Sequence, residues 1–163
     1  MGEFNHFDAD GNAVMVDVSE KKVTARRAVA CGRIAMNQEC YDKVKAGTVK
    51  KGNVLGVAQV AGIMGAKKTS ELIPLCHILP LTKCGVEFFF HDDVQEIEAR
   101  CTVKCTGKTG VEMEALSGVS LALLTIYDMC KAIDKRMCLK EIHLVEKEGG
   151  KSGPFAYGEN HAG

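Results

Sequence analysis

Asp128 and Lys131 stand three residues apart, directly after a run between Ala115 and Tyr127 in which no side chain ionises. On a helix that spacing puts a carboxylate and an amine on one face. Groups held at the edge of an apolar segment are where pKa values can be tuned for proton transfer. Taken alone, the pair also fits a solvated ion pair at a helix C-terminus, and this helix by itself favours that description. A second segment shifts the balance. Residues 71–81, Glu-Leu-Ile-Pro-Leu-Cys-His-Ile-Leu-Pro-Leu, hold His77 as their one imidazole between Pro74 and Pro80. The prolines deny this stretch a regular ladder and make it a rigid, irregular loop. Rigid apolar loops with one polar group are typical walls of ligand pockets.

Cations recur in pairs: Arg26 and Arg27, Lys50 and Lys51, Lys67 and Lys68, with Lys151 in a glycine run. Each pair would ordinarily be a solvated face. Arg26 and Arg27 must point to opposite sides of a strand. A triphosphate would need several such groups to converge, Arg as a bidentate clamp and Lys as point charges, and spacing alone does not bring them together. Glu112 and Glu114 bracket Met113. Two residues apart on a helix they do not share a face, so they are not a paired acid and base. Thr109 and Glu112 have capping-box spacing. Gly107-Lys108-Thr109 mimics the end of a P-loop, but Thr102 stands where the first glycine is needed, so that match fails.

These groups need elements to position them. Alternation predicts a strand over 22–36, followed by a short helix over 38–46 ending at Gly47. Asn53 is the expected N-cap of a helix running to about Lys68. Strands over 84–91 and 95–105 flank Asp92-Asp93 as a hairpin. One long helix spans 107–131, and a final strand runs from about 138 to 147. The order β-α-β-β-α-β, plus the extra short helix, is the split β-α-β pattern of ferredoxin-like α+β folds: an antiparallel sheet with helices on one face. The helix at 54–64 carries Gln59 as its one polar side chain, and the segment 116–126 is apolar on most of its circumference. Helices on one face of a small sheet should show a polar outer stripe, so a homo-oligomer covering those faces is expected. Gly62 and Gly65 would then permit close approach by the partner.

Composition limits what the chain can be. At 163 residues it is expected to be one domain over 1–163, with 1–5 and 156–163 as loose ends and 149–153 as a flexible connector. Its 21 basic and 21 acidic residues cancel, which argues against nucleic-acid binding. The strand that would carry RNA-stacking aromatics, 94–104, has none. The eight cysteines include no C-x-x-C pair; Cys101 and Cys105 read as core residues on one strand face with Val103, and no metal site is expected. No signal-peptide pattern is present, and the apolar runs are too short or too rich in Gly and Ala to span a bilayer. The expected setting is a reducing cytoplasm without membrane attachment.

"LIPLCHILPL", "GKTGVEMEAL" and "LTIYDMCKA", in this order, closely resemble the cyclic pyranopterin monophosphate synthase family of molybdenum cofactor biosynthesis. The likeness continues through "MVDVSEKKVTARRA", "KKGNVLGVAQVAGIMGAKKTSELIPLCH" and "GGKSG", and so covers roughly residues 6–153. The resemblance implies a ferredoxin-like fold and a lyase. Its substrate would be 3′,8-cyclo-7,8-dihydroguanosine 5′-triphosphate, its products cyclic pyranopterin monophosphate and pyrophosphate. It implies Asp128, Lys131 and Lys51 as catalytic residues. Leu75, Cys76, His77, Met113, Glu114, Arg26, Lys67 and Glu112 would bind substrate, with Met113 and Glu114 against its purine- or pterin-like part. Neighbouring like charge and desolvation are expected to lower the amines of Lys51 and Lys131 toward neutrality. No redox cofactor is needed; a Mg2+ ion carried by the triphosphate is left open. The implied assembly is a hexamer built as a trimer of dimers. The chain departs from the family pattern at Asn53, where Asp is usual, and at Ile78, where Pro is usual. A non-catalytic ferredoxin-like module sensing a nucleotide or pterin is the alternative, but it would need the phosphate clamp without Asp128 and both lysines.

Overall fold

A computed structural model describes residues 6–159; the expected loose end at 1–5, and residues 160–163 of the one expected at 156–163, lie outside the described residues. The elements are β1 (Thr24–Ala35), α1 (Gln38–Ala46), α2 (Val54–Lys67), α3 (Thr69–Leu72), β2 (Leu81–His91), β3 (Glu96–Gly107), α4 (Glu112–Cys130), β4 (Cys138–Glu148) and β5 (Phe155–Ala156). The sheet order is β2-β3-β1-β4-β5, and every neighbouring pair is antiparallel. Each β-α-β unit is therefore split by one inserted strand, and the expected α+β architecture holds.

Period-two alternation decides which side of the sheet is core. Ala28, Ala30 and Ile34 of β1 and Ile97, Ala99, Cys101, Val103 and Cys105 of β3 are buried, and they lie under α2 and α4. The facing stripe of α4 supplies Ala115, Val119, Ala122, Leu123 and Ile126, all fully buried. Large side chains such as Leu123 and Ile126 each contribute about 1.5–3 kcal/mol by leaving water. Cys101 and Cys105 are core residues, and all eight cysteines are free. On the opposite face stand charges: Glu98 takes Arg33, Arg100 and His91, and Glu96 takes Arg33 and Lys140.

The helices α2 and α4 run antiparallel in close contact. Backbone approach is possible because Gly62 sits where a Cβ would come within 2.9 Å of the Gly118 carbonyl oxygen, and Gly65 where one would meet Leu121 and Ser117. This corrects the expected role of the glycine pair: it seats α2 on α4 of its own chain. Asn53 does cap α2, its Oδ1 accepting from Gly56 N at 2.9 Å, so the amide does the capping work of the usual Asp.

Three further expectations change. The helix expected over 107–131 begins only at Glu112, behind Val111, with no side-chain cap; β3 continues to Gly107, so Thr109 lies in the connecting loop and forms no capping box. The hairpin strand β2 starts at Leu81. Over residues 149–159 the chain after β4 is neither a free connector nor a tail: residues 149–153 turn back so that β5 pairs with β4, and the Tyr157 ring lies tilted against His143 with centroids 4.2 Å apart. By length and composition α4 could cross a membrane, but it is the core helix of this sheet, with over half of its apolar window buried.

Candidate functional site

The sites expected from sequence gather at the two ends of α4. At its N-terminal end a cavity of about 270 Å3 is bounded by Leu75, Cys76 and His77 from the proline loop and by Glu112, Met113 and Glu114 from the first turn. The N-terminal segment closes it with His6, Val16, Val18 and Lys21. His77 lies 2.7 Å from the Val16 carbonyl through Nε2. A carbonyl only accepts, so Nε2 carries the proton and Nδ1 is left for a ligand. Ile78, at the position where the family pattern has Pro, is 88% exposed.

Glu114 is 4% exposed. Burial pushes its carboxyl above the ordinary range, its own backbone N–H opposes the shift, and Glu112 adds to it. Met113 lies more open beside it. Glu112 instead faces Lys147 at 3.4 Å. Arg26 stands just outside the lining: its Nη2 reaches the Lys108 carbonyl at 3.4 Å, and its Nε is buried without a partner. Arg27 points to the opposite face and pairs with Glu146, as strand geometry requires. Lys67 lines a neighbouring cavity of about 330 Å3 that shares Leu79 with the first.

The other end of α4 collects the second set. Lys131 Nζ meets Asp128 Oδ1 at 2.7 Å, and Lys51 Nζ meets the Asp128 carbonyl at 3.1 Å. Both Lys131 and Asp128 are largely solvent-exposed. The Lys131 hydrogen bond and charge, with Lys51 behind them, hold Asp128 below the usual carboxylate range. Reciprocally, Asp128 pushes the Lys131 amine up. The direction is opposite to the expected lowering of Lys131: for an exposed amine, the hydrogen bond and charge of a carboxylate partner outweigh the little desolvation it feels. Behind the lysines a cavity of about 360 Å3 has a largely apolar floor including Met129 and Ile133, with Lys43 and Lys50 at its rim.

Within one chain the two sets do not meet. Glu114 and Asp128 are fourteen residues apart on one helix, or about 21 Å at the α-helical rise. One end can take a flat heterocycle: a buried carboxyl for ring N–H groups, a thioether for its face, and Arg26, Lys21 and Lys147 for anions nearby. The other can move protons. Among the described residues, no three His, Cys, Asp or Glu side chains gather to hold a metal. Lys21, His6, Val16, Val18 and Lys147 enter the site region without a sign in periodicity or pairing; only the long N-terminal stretch of the resemblance pointed toward the first segment.

Fold and site together define a small α+β protein with a buried carboxyl, a thioether and an imidazole around one cavity and two amines with a carboxylate at the far end of the same helix. A profile of the MoaC family matches residues 15–150, and the chain belongs to that family. It is 60% identical to cyclic pyranopterin monophosphate synthase of Clostridium botulinum (strain Alaska E43 / Type E3), over 94% of this chain and 96% of that one. It is 58% identical to the protein of that name from Limosilactobacillus fermentum, over 94% and 93%, and 54% identical to that of Clostridium acetobutylicum, over 93% and 94%.

Proposed function

We propose that this protein converts 3′,8-cyclo-7,8-dihydroguanosine 5′-triphosphate to cyclic pyranopterin monophosphate with release of pyrophosphate, a step of molybdenum cofactor biosynthesis. The observation that carries the reading is the gathering of Leu75, Cys76, His77, Met113 and Glu114, from two distant segments, around one cavity, in a chain of this family. Glu114, once ionised, accepts two N–H bonds from the guanine-type edge. Those bonds replace the water lost on burial. Arg26, Lys67 and the neighbouring lysines neutralise the phosphates, while His77 offers Nδ1 as an acceptor to a substrate N–H or O–H.

Forming a cyclic monophosphate requires a sugar hydroxyl to attack the α-phosphorus. Its proton passes to a base as the bond to the β-phosphate breaks and pyrophosphate leaves. Ring opening and re-closure each need a proton delivered and removed. Lys131, kept protonated by Asp128, serves as the acid, and Asp128 orients it. Lys51, bonded to a neutral carbonyl, is left to exchange protons with the substrate. The rearrangement changes no oxidation state, so we assign no resident cofactor. Full activity in EDTA would also exclude a catalytic Mg2+ on the triphosphate.

Both ends of α4 must serve one substrate, and about 21 Å separates them. We infer a site completed by a second copy, whose Lys51–Asp128–Lys131 end abuts this chain's cavity. The outer stripe of α2, with Val57, Val60 and Met64 each about half exposed, supports such an assembly, with a hexamer of three dimers as its proposed form. Free cysteines fit a cytoplasmic setting. The test is incubation with the cyclised GTP intermediate. Stoichiometric pyrophosphate and a pterin product are expected; tight binding with no pyrophosphate would leave a sensor module instead.

A further inference from the structure

Gly149 and Gly150 follow β4 with φ of 93° and 85°, a region glycine occupies without strain. Their missing side chains make room for β1. A Cβ on Gly149 would overlap the Ala25 carbonyl oxygen and lie 3.1 Å from Arg26 Cδ, whereas one on Gly150 would overlap Arg26 Nη1 and lie 2.9 Å from Cζ. The loop main chain thus lies directly against the guanidinium. From another direction Arg26 is held by the Lys108 carbonyl, and its Nε has no partner. The loop is itself anchored, because Lys147 bonds Ser152 Oγ and pairs with Glu112 at the cavity.

We propose that Gly150 is a positioning residue for the reaction: bare main chain at this point presses the Arg26 guanidinium into the orientation that offers its unspent donors to the substrate's anionic groups. Planar, bidentate recognition depends on such orientation more than on charge alone. The proposal rests on the reading of Arg26 as a phosphate clamp. Any side chain at Gly150 turns the guanidinium away while leaving its charge in place.

Gly150→Ala is expected to raise KM for the cyclised triphosphate about tenfold, the loss of roughly one charge-assisted hydrogen bond, with kcat little changed. Gly153→Ala serves as the control for backbone strain. Gly153 has φ 72° in the same loop, but an added Cβ meets nothing within 4 Å, so KM should stay at the wild-type value. Because Gly150 acts through Arg26, Arg26→Ala/Gly150→Ala should match Arg26→Ala alone. Wild-type KM in Gly150→Ala, an equal rise in Gly153→Ala, or multiplying effects in the double variant would each overturn the proposal. If Gly150→Ala does not fold, the double variant should, since the three atoms nearest the added Cβ all belong to the Arg26 guanidinium; an unfolded double variant also overturns it. A wild-type protein without turnover defeats the proposed function instead. The contact is then read by melting temperature, where independent losses in the two single variants sink it.

Discussion

Glu114 shows how a binding group can weigh against the fold that carries it. Its carboxyl is buried and its pKa raised by that burial. Between the ordinary carboxylate value and the raised folded one, the folded state holds a proton that the unfolded state releases. Stability is therefore fully present below the unfolded pKa and is lost as pH rises through that window. Glu114→Gln should raise the melting temperature at pH 7 by roughly 2–4 °C, the shift that about 1 kcal/mol brings in a chain of this size. It should change little below pH 4 and should weaken substrate binding. A melting temperature equal to wild type at every pH would show that the carboxyl finds compensation elsewhere. The lysines at the far end behave differently. Lys51 and Lys131 are exposed, so alanine at either leaves no cavity or orphan and should leave the melting temperature near the wild-type value. Turnover should fall by roughly 100-fold or more if they transfer protons. Near-normal kcat in either variant removes that lysine from the mechanism. Asp128 is held low and Lys131 high, so neither should produce a break in the pH–rate profile of the free enzyme near neutrality.

The elements matter here through their spacing. Lys51 reaches the Asp128 carbonyl because α2 lies tight on α4, and that approach depends on Gly62. A methyl group there would stand 2.9 Å from both the Gly118 carbonyl and Val86 Cγ2, and main chain cannot yield as a flexible side chain would. Overpacking of this kind costs about 1–3 kcal/mol. Gly62→Ala should lower the melting temperature accordingly and depress kcat, as the lysine end shifts from the sheet. Gly85→Ala, where an added Cβ meets nothing, should do neither. Unchanged stability in Gly62→Ala would mean that the helices can slide without loss.

At the scale of the whole molecule, the length of α4 makes the decisive prediction. A site using Glu114 and His77 from one copy and Lys131 from another can be repaired by mixing defects. Lys131→Ala and His77→Ala, each inactive alone, should regain up to roughly a quarter of wild-type activity when unfolded and refolded together. In a mixed pair of subunits one site then carries both lesions and the other neither. Lys51→Ala with Lys131→Ala should regain nothing, since both side chains serve one cluster on one chain. Light scattering should find no active monomer; a monodisperse, fully active one would end the composite-site reading.

Much of this was legible before folding. The strand and helix periods, the Asn53 cap, the opposed faces of Arg26 and Arg27, the core place of Cys101 and Cys105 and the His77 loop all follow from local rules, because backbone periodicity and side-chain chemistry act over a few residues. The start of α4 was misplaced for the same reason: Thr109 and Glu112 have the right spacing, but β3 keeps its ladder with β1 through Gly107 and long-range pairing outweighs a local cap. Periodicity could not reveal that Gly62 and Gly65 face α4, that Gly150 lies against Arg26, or that Asp128 raises the Lys131 amine rather than leaving it lowered. Those outcomes depend on which groups from distant parts of the chain come within a few ångströms, and contact, desolvation and charge pairing at that range exist only once the tertiary structure has formed.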